Sequence, residues 1–215
     1  GDDLARIALT QRVVAGRAAI RVDANQGYDA ASAGVFIAGV DPAGIELFEQ
    51  PCAAGDWEAH RAAAAAAART GLPLMLDESI YGLADIERAA RDNACTHLKV
   101  KLMKFASIDA LVAAIARIRA LGMRPVLGNG HACDVSCWME ACVAARHIDN
   151  AGEMNGFLKA TPMLLDPPLH FHDGHIVLEP GVRPMLDARA VAGYTVDAAA
   201  HRQALHACPG NVHPS

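Results

Sequence analysis

The 215-residue sequence predicts an α/β fold, a (β/α)8-type (TIM) barrel present incompletely as about six βα units. Short apolar runs recur along the chain, and each of the first three ends on an acid: Asp23 in AIRVDAN, Glu49 in GIELFEQP and Asp77 in LPLMLDES. A fourth run, THLKVKLMK, carries lysines instead. The intervals are 26 residues from Asp23 to Glu49, 28 to Asp77 and 24 to Lys101. Each is about the length of one strand, one loop and one helix.

The elements follow in order. Residues 4–14 read as a helix and 19–22 as a strand ending at Asp23. A helix over 30–40 leads to a strand over 44–48 ending at Glu49, which Pro51 terminates. The alanine run of 62–68, flanked by Arg61 and Arg69, is the interior of a helix over 57–69. A strand over 72–76 ends at Asp77, a helix covers 83–92, and a strand over 97–102 surrounds Lys101. Ile108, Leu111, Val112, Ile115 and Ile118 fall on one face of a helix over 108–121. A strand over 124–127 runs into Gly128-Asn129-Gly130-His131, a helix covers 135–145, and a sixth strand is expected to begin at His147-Ile148 and end near Asp149-Asn150. After Pro162, turn residues dominate, and LHFHDGHIVLEP predicts a hairpin turning at Asp173-Gly174. The division expected is a partial barrel over 1–160 and a C-terminal segment over 161–215 packing on it. A closed barrel needs eight strands, and the chain opens on a helix, so its first strands are expected to lie upstream; an open six-stranded sheet is the alternative.

Carboxylates at the C-terminal ends of successive parallel strands gather at one mouth. Close carboxylates raise one another's pKa, and a hard divalent cation relieves that cost with oxygen ligands. Asp23, Glu49 and Asp77 are therefore candidate Mg²⁺ ligands, with Mn²⁺ as a substitute. Asn25, two residues beyond Asp23 on the same strand, is expected to share its inward face and to meet substrate or metal. Glu78, adjacent to Asp77, faces the other way and is expected to support the ligands from behind. Lys99 and Lys101 also share a face; a partly desolvated lysine there has a lowered pKa suited to proton transfer, and Lys101 stands nearer the strand end. Lys104 is expected beyond the strand, in the loop. Asn129, His131, Asp149 and Glu153 are candidate substrate contacts. His170, His172 and His175 read as surface residues of the hairpin.

Hydrophobic residues make up 53%, charged residues 20%, and the net charge is −5, a globular composition. No basic block or Arg/Lys stretch interleaved with aromatics points to nucleic acid. No apolar run approaches the roughly 20 residues of a membrane span, and no signal-peptide pattern opens the chain. The six cysteines, Cys52, Cys95, Cys133, Cys137, Cys142 and Cys208, form no CxxC pair and read as buried thiols of a cytoplasmic protein.

DAN, ELFEQP, LDES and KLMK, in this order and spacing, resemble the muconate-lactonising branch of the enolase superfamily, in the mandelate racemase/muconate lactonizing enzyme C-terminal barrel domain. The resemblance implies a modified barrel under an α+β capping domain, with Asp23, Glu49 and Asp77 on Mg²⁺ and Lys101 as the acid/base on one face of a small-molecule carboxylate. It implies abstraction of the proton α to that carboxylate, giving an enediolate, with racemisation or epimerisation, cycloisomerisation or dehydration as outcomes. A homo-oligomer is expected for the full-length protein.

Departures from the pattern are specific. The Lys-x-Lys that the family carries on the strand before Asp23 has no counterpart there; Lys99-Val100-Lys101 has that form on another strand. The capping domain has no counterpart in these 215 residues and is expected upstream with the first strands, and the pair of glycines after the KLMK stretch is Ala106-Ser107. Dipeptide epimerases of this group carry an Asp-x-Asp where this chain reads Asp149-Asn150-Ala151-Gly152-Glu153, so a dipeptide substrate is not expected. The competing readings are a Schiff-base lyase with Lys101 as nucleophile, which leaves the three acids unexplained, and a non-catalytic fragment with open sheet edges.

Overall fold

A computed structural model describes residues 2–130, 132–159 and 163–195. Helix α1 (Asp2–Val14) leads into five βα repeats: β1 (Ile20–Asp23), α2 (Ala30–Gly39), β2 (Ile45–Glu49), α3 (Trp57–Thr70), β3 (Leu74–Leu76), α4 (Leu83–Arg91), β4 (His97–Val100), the short α5 (Leu102–Phe105), α6 (Ile108–Ala120), β5 (Arg124–Leu127) and α7 (Asp134–His147). The five strands pair in the order β1-β2-β3-β4-β5, all parallel, and curl into a half-barrel.

Helix starts are set by local hydrogen bonding. Asp29 and Ser32 form a reciprocal capping box at α2, Asp56 accepts the Ala59 N–H at α3, and Ser107 accepts that of Ala110 at α6. Gly71 ends α3 at φ +75°, a conformation in which a side chain would be strained.

The two faces of the sheet bury different residues. Phe48, Leu74, Leu76, Leu98, Val100 and Leu127 point outward into two clusters filled by the helices, notably Phe36, Ile37 and Ala63 on one side and Ile86, Leu111, Ile115 and Ile118 on the other. Leu47, Met75 and Val126 form a separate small cluster on the concave face. Above that apolar floor the concave face is polar, which places the site.

The expected sixth strand does not form. α7 continues through His147, Ile148 closes it with an N–H to the Ala144 carbonyl, and the chain rejoins the sheet only at Glu153. There a single parallel bridge to Gly128 is made: the Glu153 N–H donates to Leu127 O (2.9 Å) and the Asn129 N–H to Glu153 O (3.1 Å). Asp149-Asn150-Ala151-Gly152 has the composition of a turn rather than a pleated strand. The fourth strand also ends earlier than expected, at Val100, because Lys101 caps α5.

Past residue 162, β6 (Leu165–Asp166) pairs antiparallel with β9 (Met185–Leu186), and β7 (Phe171–His172) with β8 (His175–Ile176) through positive-φ Asp173 and Gly174. Helix α8 (Ala188–Tyr194) follows. The buried Asp134 carboxylate accepts the N–H groups of Leu164 and Leu165, both at 2.7 Å, and so moors this segment to α7. Among the described residues no helix is long and apolar enough to cross a membrane.

The helix layer carries the fold, and α6 tests it. Leu111 is fully buried in the larger cluster. Leu111→Ala is expected to cost about 2–5 kcal/mol in urea unfolding, against within ~0.5 kcal/mol for Ala116→Ser on the exposed face of the same helix.

Candidate active site

Alternation along the parallel strands puts Arg21 and Asp23, Leu47 and Glu49, Met75 and Asp77, and Lys99 and Lys101 on the concave face. The pairing of β1 with β2 shifts between Ile20 and Arg21, leaving Glu46 of β2 opposite no residue of β1, and the Glu46 carboxylate accepts from Arg21. Asp23 and Glu49 are paired across β1 and β2.

The lower layer is a closed ion network. The Lys99 ammonium donates to both Glu49 oxygens (2.6 and 2.7 Å) and to Glu153 Oε2 (2.5 Å). Arg21 donates to Glu153 Oε1 (2.9 Å), to both Glu46 oxygens (3.0 and 3.1 Å) and to the Ala151 carbonyl (2.8 Å). Burial works against the Lys99 charge, yet Glu49 and Glu153 outweigh it and raise its pKa. Burial lifts the Glu49 carboxyl to about 8 against the pull of Lys99, with Asp23 and Glu153 adding to the rise.

The upper layer surrounds Asp77. Lys101 donates to Asp77 Oδ2 (2.5 Å), and Lys104 to Oδ1 (2.5 Å) and to the Asp77 carbonyl (2.6 Å). Burial opposes ionisation of Asp77, but Lys104 and Lys101 hold its carboxyl below the usual range. Burial holds the Lys104 ammonium below the usual lysine range, against Asp77. Its nitrogen lies 5.0 Å from the centre of the Tyr81 ring. Burial, aided by Asp77 and Asp23, raises the Glu78 carboxyl, and Glu78 Oε2 is buried without a partner.

Several expected contacts lie elsewhere. β1 ends at Asp23, and Asn25 takes φ +48° in an exposed turn, its N–H donating to Asp23 Oδ1 (2.8 Å), so the two do not share a strand face. Asn129 is turned into the wall, where Oδ1 accepts the Gly156 N–H (3.2 Å) and Nδ2 meets Cys137 Sγ (2.6 Å). Asp149 is exposed and faces Arg119 of α6 at 3.4 Å, because α7 runs past the point where a strand was expected. His131 lies outside the described residues. Glu153 does reach the concave face. Lys104, Arg21 and Glu46 enter the site without having been expected there. Lys104 was legible as the partner of Lys101 three residues on, across one helical turn, and Arg21 by counting two back from Asp23.

Among the described residues, no three His, Cys, Asp or Glu side chains stand close enough together to hold a metal ion, since lysines lie between the acids. The donor chemistry nonetheless fits a hard cation: Asp23, Glu49 and Asp77 stand at the ends of consecutive strands, Asp23 is exposed, and Glu49 is its neighbour across the sheet.

Fold and site together define a parallel α/β barrel with charged groups gathered at the C-terminal ends of its strands. The chain belongs to the enolase C-terminal domain-like family, which it matches over residues 1–183. It is 37% identical over 117 residues to a chloromuconate cycloisomerase of Pseudomonas putida, covering 54% of this chain and 31% of that one. It is 36% identical over 129 residues to a hydrophobic dipeptide epimerase of Citrifermentans bemidjiense, covering 59% and 34%. The muconate cycloisomerase of Pseudomonas fluorescens superposes with a TM-score of 0.80 at 26% identity, over 89% of this chain and 54% of that one. The chain therefore spans about half of the solved relative, and its aligned part about a third of each of the two curated relatives. The resemblance carried by DAN, ELFEQP, LDES and KLMK holds at the level of the family.

One buried acid behind the site gives a pH test. Glu140 of α7 is 2% exposed and accepts the Leu102 N–H (2.8 Å), next to Lys101. Burial raises its carboxyl from 4.5 to about 7, with the Leu102 N–H, the Asn129 amide and the Lys101 charge opposing. The folded state therefore binds this proton more tightly than the unfolded chain. The stability that follows is complete below pH 4.5 and is lost as pH rises to 7. Glu140→Gln keeps the acceptor and removes the charge. It is expected to be more stable than the parent at pH 8, by an order of ~3 kcal/mol at ~1.4 kcal/mol per unit, with no gain at pH 4. Thermal unfolding at the two pH values checks this.

Proposed function

We propose that the mouth is the proton-transfer site of an isomerase acting on a small-molecule carboxylate, abstracting the proton α to that group. The single observation that carries the reading is the placement of Lys101 on the concave face, its ammonium 2.5 Å from Asp77, in line with the acids ending β1, β2 and β3. The names of the relatives, cycloisomerase and epimerase, support isomerisation over loss of water.

Asp23, Glu49 and Asp77 would hold Mg²⁺ or Mn²⁺, which as a Lewis acid supplies stabilisation of the negative charge developing on the substrate carboxylate. Lys101 does the proton work. It has one carboxylate oxygen as its partner and lies at the open end of the strand, so its nitrogen is free to take a proton from one face of the substrate or return it. Asp77 orients that nitrogen. Lys99 has three oxygens around it and only 4% of its side chain exposed, which makes it the counter-charge of Glu49 and Glu153 rather than a proton carrier. Tyr81 and Met103, both exposed after β3 and β4, offer apolar contact to the body of the substrate. A Schiff-base role for Lys101 would leave Asp23 and Glu49 without a task.

Lys101→Ala is expected to slow exchange of the substrate α-proton with solvent deuterium by about 10²–10⁴-fold while Mg²⁺ affinity changes little. Loss of exchange in Lys99→Ala with retention in Lys101→Ala would reverse the roles of the pair. Asp77→Asn tests the cation. Calorimetry is expected to show Mg²⁺ binding weakened at least tenfold or so, as for loss of an anionic oxygen ligand to a hard ion. Unchanged affinity removes the metal from the reading.

A further inference from the structure

Gln50 directly follows Glu49, and its side chain is fully buried. Its amide uses both ends. Oε1 accepts the N–H of Asp77 at 2.8 Å and that of Ser79 at 3.4 Å. Nε2 donates to the Cys52 carbonyl at 2.9 Å and to Ser79 Oγ at 2.8 Å. Ser79 Oγ in turn meets His60 Nε2 of α3 at 2.9 Å, and His60 is itself fully buried. Burial holds this imidazole below its ordinary pKa, so it joins the chain of bonds as a neutral group.

This network is local and specific. Gln50 takes φ +37°, a backbone conformation that a side chain other than glycine's rarely adopts without compensation. Its own N–H donates to the Met75 carbonyl at 2.8 Å, so main chain and side chain of one residue both grip the next strand. On the far side of Asp77, Lys104 holds the carbonyl and the carboxylate. The Asp77 peptide is thus fixed at its N–H by Gln50 and at its C=O by Lys104. A buried polar group with every bond made resists displacement, because any movement leaves a donor or acceptor unpaired.

We propose that Gln50 is a positioning residue: its buried side-chain amide sets the separation of Glu49 and Asp77 at the ends of β2 and β3, and with it the cation affinity of the mouth. The proposal rests on the reading of these acids as cation ligands, and the test separates the two.

Gln50→Met keeps the length and burial of the side chain and removes both its donor and its acceptor. Two quantities are read in the protein: amide hydrogen exchange at Asp77 and Ser79 without metal, and Mg²⁺ affinity by calorimetry. Exchange at Asp77 is expected to accelerate while Phe48, whose N–H donates to the Pro73 carbonyl within the sheet, keeps its protection. Mg²⁺ binding is expected to weaken about 10–100-fold, the usual effect of removing a group that orients a ligand. A folded Gln50→Met with unaltered exchange at Asp77 overturns the clamp. Accelerated exchange with Mg²⁺ affinity within about twofold of the parent overturns its link to the site. Where Gln50→Met does not fold, Ser79→Ala decides by the same two readings. Faster exchange at Asp77 with Mg²⁺ weakened about threefold supports the proposal, and no change in either overturns it. A parent protein that binds no Mg²⁺ defeats the cation reading and with it the link to affinity, while the exchange measurement still judges whether Gln50 holds Asp77.

Discussion

The Lys99 ammonium, buried between Glu49 and Glu153, ties together parts of the chain that the parallel sheet alone would leave independent. β2 and β4 are not neighbours in the sheet, and Glu153 belongs to a segment that makes only one bridge to it. Arg21 extends the same network to β1 through Glu153 and Glu46. Buried polar groups on the concave face need hydrogen-bond partners, and here they find them within the chain. Removing one member of such a network strands a charge out of water, which is the costly direction. This is why Glu153 returns to the sheet although the residues before it do not form a strand.

Above that layer the balance of charge changes. The lower network pairs Arg21 and Lys99 with Glu46, Glu49 and Glu153, while the mouth adds Asp23, Asp77 and Glu78 against Lys101 and Lys104. Counting these groups, acids exceed bases. Burial raises the Glu49 and Glu78 carboxyls, and Asp23 adds to the rise of each. On the proposed reading, a divalent cation would answer such a surplus without disturbing the helix layer, because the acids hang from strand ends.

The strand ends were legible because two strong signals coincide there. Apolar runs of strand length stop at an acid or lysine, and the spacing between stops is constant enough to count repeats. Asp23, Glu49, Asp77 and Lys101 all fall where that count places them, on the concave side. Periodicity also located α6 within a residue at each end. What failed were inferences that carried a strand one or two residues too far. Asn25 was assigned the face of Asp23 by alternation, but its left-handed backbone ends the alternation. Asn129 stands at a strand end, yet the Gly156 N–H claims its side chain. Asp149 was placed by assuming a strand after a helix that in fact continues. Each is a tertiary competition for a turn, and a single sequence contains no term for it. Lys104 was misplaced for the opposite reason: the chain turns into a helix directly after Lys101, which brings a residue expected in a loop back over Asp77.

The three lysines of the HLKVKLMK stretch illustrate how burial divides one residue type into separate tasks. Lys99 is surrounded by three carboxylate oxygens, and its charge is the glue of the lower layer. Lys104 bonds one carboxylate oxygen and one carbonyl with its side chain 3% exposed, so it behaves as a fixed strut under Asp77. Lys101 bonds a single oxygen and is the most exposed of the three, at 17%. A proton carrier must lose and regain its proton without collapsing its surroundings. Deprotonating Lys99 would leave Glu49 without the cation that meets both its oxygens, and deprotonating Lys104 would weaken its hold on the Asp77 carboxylate and carbonyl. Deprotonating Lys101 leaves Asp77 still held by Lys104 and by the Gln50 amide. On the proposed reading, proton transfer falls to Lys101, the lysine whose neighbours keep their partners when it loses its proton.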